Sequence, residues 1–143
     1  MHRELCCRLL AEEVAACNRG HLRERLRHDV VLEGEGTVLV RVDVPGGAQH
    51  LLALTGDNYN AEPLSLSVID PVTREPLPEE RWPEHLRFGS PHPVTGTPWS
   101  CTRGLAEYYV HFSHVQESWD ADRVRRRLEV LLGHLLSKMG VPS

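Results

Sequence analysis

Val38-Leu39-Val40-Arg41-Val42-Asp43-Val44, closed by Pro45-Gly46-Gly47, is the stretch on which the reading of the fold turns. Its β-branched residues follow a partial alternation, and Pro-Gly-Gly is a stop that no strand continues through. Working outward, Val30 to Leu32 is β-prone and Gly34 to Gly36 reads as the turn that joins it to this strand. On the other side His50 to Thr55 forms a third strand. After a loop holding Tyr59 and Pro63, Leu64-Ser65-Leu66-Ser67-Val68-Ile69-Asp70 alternates as a fourth. Short strands with short connections predict an antiparallel meander.

Helical periodicity flanks that sheet. From Arg3 to about Arg27, Cys6, Cys7, Leu10, Val14, Cys17 and His21 fall on one stripe at three- and four-residue steps, and Gly20 marks where the helix ends or loosens. The cysteines on this stripe read as core, since a reduced cysteine packs like a small hydrophobe. At the other end Ser118 or Asp120 caps a helix whose apolar face is Val124, Leu128, Leu131, Leu132, Leu135, Leu136 and Met139. Arg123, Arg125, Arg126, Arg127 and Glu129 point outward as a solvated face. Between sheet and helix, Pro71 to Pro98 carries seven of the ten prolines. It predicts a long surface crossing, pinned by the rings of Trp82 and Phe88. The fold class is therefore α+β: an antiparallel sheet of about four strands between N- and C-terminal helices, in one domain spanning 1–143.

Composition narrows the function. A chain of 143 residues with 41% hydrophobic and 25% charged residues has the makings of one globular core. No apolar run approaches the ~20 residues of a membrane helix, so no membrane partner is expected. Sixteen basic against twenty acidic residues, a net charge of −4, do not suggest a nucleic-acid binder, whose footprint is a strongly basic face, and no nucleic-acid partner is expected. Lys138 is the single lysine and so the single side-chain target for lysine modification. The first residues reach Glu12 and Glu13 without the apolar stretch of a signal peptide, and four cysteines do not make a disulfide scaffold. The cytoplasm is the expected compartment.

The chemistry concentrates in Cys101-Thr102-Arg103-Gly104-Leu105-Ala106-Glu107-Tyr108-Tyr109-Val110-His111-Phe112-Ser113-His114. Glu107 and His111 are four apart and His111 and His114 three apart, so on a helix all three share a face. Cys101 lies six residues before Glu107, where a loop can fold it back. Thiolate, carboxylate and two imidazoles form a zinc ligand set that leaves the site formally neutral. Tyr108, Tyr109, Val110 and Phe112 favour strand, in which Glu107 and His111 would face away from His114. Four protein ligands describe a closed, structural zinc. If Glu107 stands off the metal, it could instead serve as the base of a zinc hydrolase. The His-Glu-x-x-His run of metalloproteases and the Pro-Cys-x-x-Cys of deaminases are absent.

The ordered set Cys101, Glu107, His111 and His114 resembles the metal-binding family named for its Cys-Glu-His-His ligands. That resemblance implies zinc held by those four residues. It also implies a place in bacterial ubiquitin-like conjugation gene clusters, with the modifier or its activating and conjugating enzymes as partners. The helix, meander, Pro-rich crossing, cysteine and C-terminal helix are in addition similar to a ubiquitin-conjugating enzyme. Tyr59-Asn60-Ala61-Glu62-Pro63 is similar to the Tyr-Pro-x-x-Pro turn of that fold, with Asn60 in place of the first proline. His92-Pro93-Val94 is similar to its His-Pro-Asn run, with Val94 in place of the asparagine. The two resemblances compete for one sulfur, because a metal-bound thiolate is no longer a free nucleophile for a thioester. The expected function is a zinc-binding accessory protein of a ubiquitin-like pathway. The alternative is an enzyme, either conjugating through Cys101 or hydrolysing with Glu107 as base.

Overall fold

A computed structural model describes residues 2–143. Four strands, β1 (Val31–Glu33), β2 (Thr37–Asp43), β3 (Gln49–Thr55) and β4 (Ser65–Ile69), form one antiparallel sheet in the order β1-β2-β3-β4. The meander expected from the sequence is therefore present, in register Val38↔Leu54, Val40↔Leu52 and Leu52↔Val68. Alternation sorts the two faces. Val38, Val40, Val42, Leu52, Leu54, Leu66 and Val68 join the main core, while Leu39, Leu51, Ala53 and Ile69 make a smaller cluster on the other face.

The N-terminal helical stretch is two helices, α1 (Arg3–Cys17) and α2 (His21–Leu26). The break falls at Asn18, whose side-chain amide donates to Val30 O at 2.8 Å and whose Oδ1 accepts from Val30 N at 2.7 Å. One side chain thus ends α1 and fastens the approach to β1. Cys6 and Cys17 are buried as the stripe predicts, and burial pushes the Cys17 thiol up to about 12. His21 is exposed, because the stripe ends with α1.

The C-terminal helix also comes in two pieces, α4 (Trp119–Asp122) and α5 (Leu128–Lys138), and Val124 between them is 71% exposed rather than part of the core. Competing partners explain the interruption. The Asp122 carboxylate is taken by Arg103 and Tyr109, and the Leu128 N–H is accepted by Glu13 Oε1 at 2.8 Å, which restarts the helix at that point. Leu128, Leu131, Leu132, Leu135, Leu136 and Met139 are buried, and α5 packs against α1 and α2.

Along the Pro-rich crossing Trp82 is buried and donates its indole N–H to Leu77 O at 3.2 Å. Phe88 is half exposed, contrary to its expected role as an anchor. Its ring lies over Trp99, at a centroid distance of 4.7 Å, and the larger indole occupies the interior. Among the described residues no helix is long and apolar enough to cross a membrane.

Candidate functional site

The segment carrying Cys101 is fixed from two sides. The Lys138 ammonium, at the end of α5, donates to Cys101 O at 2.8 Å and to Thr102 Oγ1 at 2.7 Å. The one lysine of the chain is thus committed to holding this loop, and burial lowers its pKa. Further along, Leu64 and Leu105 form a parallel bridge, and Ala106 N donates to Leu64 O at 2.8 Å. That docking sets α3 (Ala106–Tyr109) against the start of β4.

The continuous helix that would align Glu107, His111 and His114 does not form. α3 stops after one turn, and a separate 3-10 turn, Phe112–His114, follows. Glu107 is 4% exposed and its Oε1 accepts from Leu66 N–H at 3.0 Å, while Oε2 is buried without a hydrogen-bond partner. Burial pushes this carboxyl above the ordinary range, against the hydrogen bond from Leu66. Its neighbour Tyr108 stacks on His114 instead, rings 3.8 Å apart and 16° from parallel. Adjacent helical residues differ by about 100° in direction, so contact with β4 and contact with His114 use different faces of α3.

Cys101 and His114 do meet: Sγ lies 3.4 Å from Nε2. The other ring nitrogen, Nδ1, is 2.9 Å from Glu117 Oε2. A carboxylate can only accept there, which places the proton on Nδ1 and turns the Nε2 lone pair to the sulfur. Glu117 is itself held by the Tyr108 hydroxyl, donating at 2.7 Å, and by Arg103 at 3.2 Å. The Tyr108 bond in particular keeps its carboxyl below the usual range. Burial, and then the same contact, raise the Tyr108 hydroxyl to about 12. Burial raises the Cys101 thiol pKa, and the positive charge of Lys138 works against that.

His111 stands beside this pair, its ring 5.9 Å from that of His114 between centroids. It is stacked between Trp99, at 4.9 Å, and Phe112, at 4.4 Å. Its Nδ1 accepts from Ser113 N at 3.2 Å and lies 2.6 Å from Ser113 Oγ, which leaves the ring proton on Nε2. Burial and the nearby imidazoles lower its pKa. His92 is a framework residue: Nε2 donates to Glu107 O at 2.8 Å and Nδ1 accepts from Val94 N at 3.0 Å.

Of the four expected ligands, the structure thus brings Cys101 and His114 into contact, puts His111 beside them and engages Glu107 with β4. Two ligands of one tetrahedral zinc lie about 3.5 Å apart, given metal–sulfur and metal–nitrogen distances of about 2.3 and 2.0 Å. The Cys101–His114 separation fits that requirement. The histidine oriented through its far nitrogen by a carboxylate is what zinc sites use to fix ring and tautomer. Among the described residues no three His, Cys, Asp or Glu side chains gather as a metal site does. Glu117 went unnoticed in the sequence, although its three-residue step from His114 is a helical-turn spacing.

A scan against protein-family models finds no match for this chain, and a search of the curated proteins finds none either.

Proposed function

We propose that this chain is a zinc-binding accessory protein of a bacterial ubiquitin-like conjugation pathway, built on a ubiquitin-conjugating-enzyme-like scaffold. The carrying observation is the Cys101–His114 pair at 3.4 Å, with His114 held through Nδ1 by Glu117. His111 would complete a third position with its proton on Nδ1, donating to Ser113 Oγ and giving up the bond now accepted from Ser113 N. Glu107, the fourth of the set, would reach the metal only by releasing Leu66 N and turning from the β4 side of α3. Zinc would supply a cross-link between the Cys101 loop, α3 and the 3-10 turn. The pathway and the partners rest on the resemblance of the four residues and of the meander between helices.

The test is elemental analysis of the purified chain beside its single variants. Wild type should carry one zinc per chain, and Cys101→Ser, His111→Ala and His114→Ala should lose it. If Cys101→Ser and His114→Ala both keep a full equivalent, the ligand assignment fails. Binding to a ubiquitin-like modifier and to its activating enzyme, measured with and without zinc, tests the pathway.

The same contacts support a second reading. Cys101, His114 and Glu117 stand as nucleophile, base and orienting carboxylate. In transthiolation Sγ would bond to the modifier's carbonyl carbon while the donor's carbon–sulfur bond breaks, and the thiol proton passes to the departing sulfur. A thioester trapped on Cys101 in metal-free protein would favour this reading. Both readings use the Cys101 thiolate, so the raised pKa of the free thiol does not separate them. Glu107 as a hydrolytic base gains no support from a carboxylate bonded to Leu66 N.

A further inference from the structure

Arg103 lies two residues past Cys101 and enters neither reading as ligand, nucleophile or base. Its guanidinium nevertheless joins the Cys101–His114 centre to α4. Nε and Nη2 donate to Asp122 Oδ2 and Oδ1 at 2.7 and 2.9 Å, and Nη1 meets Glu117 Oε1 at 3.2 Å. Asp122 is buried and also accepts from the Tyr109 hydroxyl at 2.7 Å, so the grip on the guanidinium is itself anchored.

Shape and charge make this contact more than a brace. A guanidinium is planar, and a carboxylate bound to two of its nitrogens fixes the direction in which the third points. With Asp122 on Nε and Nη2, that direction is Glu117. The same guanidinium holds both carboxylates, so without it Glu117 and Asp122 would face each other as like charges. Glu117 is only half-buried and has solvent to turn toward. Tyr108 would then be its remaining anchor, on Oε2, the oxygen that His114 Nδ1 also uses. Arg103 takes Oε1 instead and leaves Oε2 directed at the imidazole.

We infer that Arg103 is a positioning residue of the Cys101–His114 centre. Clamped by Asp122, it keeps Glu117 aimed at His114 Nδ1 and so keeps Nε2 turned to the sulfur. The inference rests on that centre as read above, and it holds for a zinc ligand and for a thiol base alike. Both need the Nε2 lone pair on the side of Cys101. Arg103→Lys keeps the charge but offers one ammonium on a flexible stem, which cannot hold two carboxylates in one plane.

The experiment reads the His114 tautomer and the zinc affinity of the whole chain. In metal-free protein at about pH 8, where imidazole is ordinarily neutral, nitrogen NMR of the ring, assigned against His114→Ala, should place the proton on Nδ1. Arg103→Gln and Arg103→Lys should both move it toward Nε2, and both should weaken zinc binding by about tenfold to a hundredfold. Tyr109→Phe is the control for stability. It also removes a bond to Asp122 but leaves the Arg103–Glu117 contact in place, and should change neither readout. In a Glu117→Ala background Arg103→Gln should weaken zinc no further, because its action passes through Glu117. An unchanged tautomer in both Arg103 variants overturns the inference. So does full rescue by Arg103→Lys, an equal change in Tyr109→Phe, or losses that add in the double variant. A wild type that binds no zinc overturns the ligand reading instead, and the tautomer then decides the role of Arg103 by itself.

Discussion

Asp122 holds the chain where the second half of the site meets the C-terminal helices. Its carboxylate accepts from Arg103 Nε at 2.7 Å, Arg103 Nη2 at 2.9 Å and the Tyr109 hydroxyl at 2.7 Å. The arginine bonds foremost hold its pKa below the usual carboxylate value. A depressed folded-state pKa adds stability that is complete above the unfolded value of about 3.9. That stability is lost as pH falls through the folded value. Asp122→Asn should therefore cost about 2 kcal/mol near neutral pH, as expected for hydrogen bonds to a charged group. Urea unfolding should show the gap between the proteins closing as the solution is acidified below about pH 4, and a gap independent of pH would refute the account. The same scale shows how far the site was legible. Cys101 was left to a loop that could fold it back, and the structure brings it to His114. Glu107, His111 and His114 were aligned only by helix continuity, and that is decided by the docking of Leu105 and Ala106 on Leu64, just before β4. Glu117 carried one local signal, its three-residue step from His114, but the closing of Tyr108 and Arg103 around it is written in no local pattern.

Among the elements, the sheet was readable because alternation and turn residues agree, and both are properties of neighbours in sequence. The C-terminal helix was readable only from Leu128 onward. Its expected first turns around Val124 are undone by side chains distant in sequence, Arg103 taking Asp122 and Glu13 taking the Leu128 N–H. Two contrasting substitutions test this division. Leu132→Ala, in the middle of the buried face of α5, should cost about 2–5 kcal/mol, while Val124→Ala should stay within about 0.5 kcal/mol. Chemical denaturation of both variants decides it, and a large loss at Val124 would return that residue to the core. The far end of α5 is closed by Gly140, with φ of +79° and Val141 N donating back to Leu136 O at 3.0 Å. A side chain there meets the left-handed penalty, so Gly140→Ala should destabilise by about 1 kcal/mol. The measurement is the same denaturation curve, and an unchanged midpoint would show that the turn relaxes.

For the whole molecule, the question is how much of the fold depends on a metal. The core runs from α1 and α2 through one face of the sheet to α5, and it includes none of Cys101, Glu107, His111 or His114. Zinc at the proposed site would tie the Cys101 loop to the turn carrying His114, outside that core. Removal of metal should therefore leave the meander and α5 intact, unlike a small zinc finger, whose folding energy is the metal's own. A ligand present at a hundred times its dissociation constant stabilises by about 2.7 kcal/mol, and a domain of this size shifts by about 2–4 °C per kcal/mol. Chelation should then lower the thermal midpoint by about 5–11 °C, the product of those two figures, with far-ultraviolet circular dichroism at 25 °C nearly unchanged. His114→Ala should abolish the shift, because its apo and zinc-treated forms become the same species. If chelation instead erased the β-sheet signal, the metal would be bracing the core itself, and the separation of core from site drawn from the packing would be wrong.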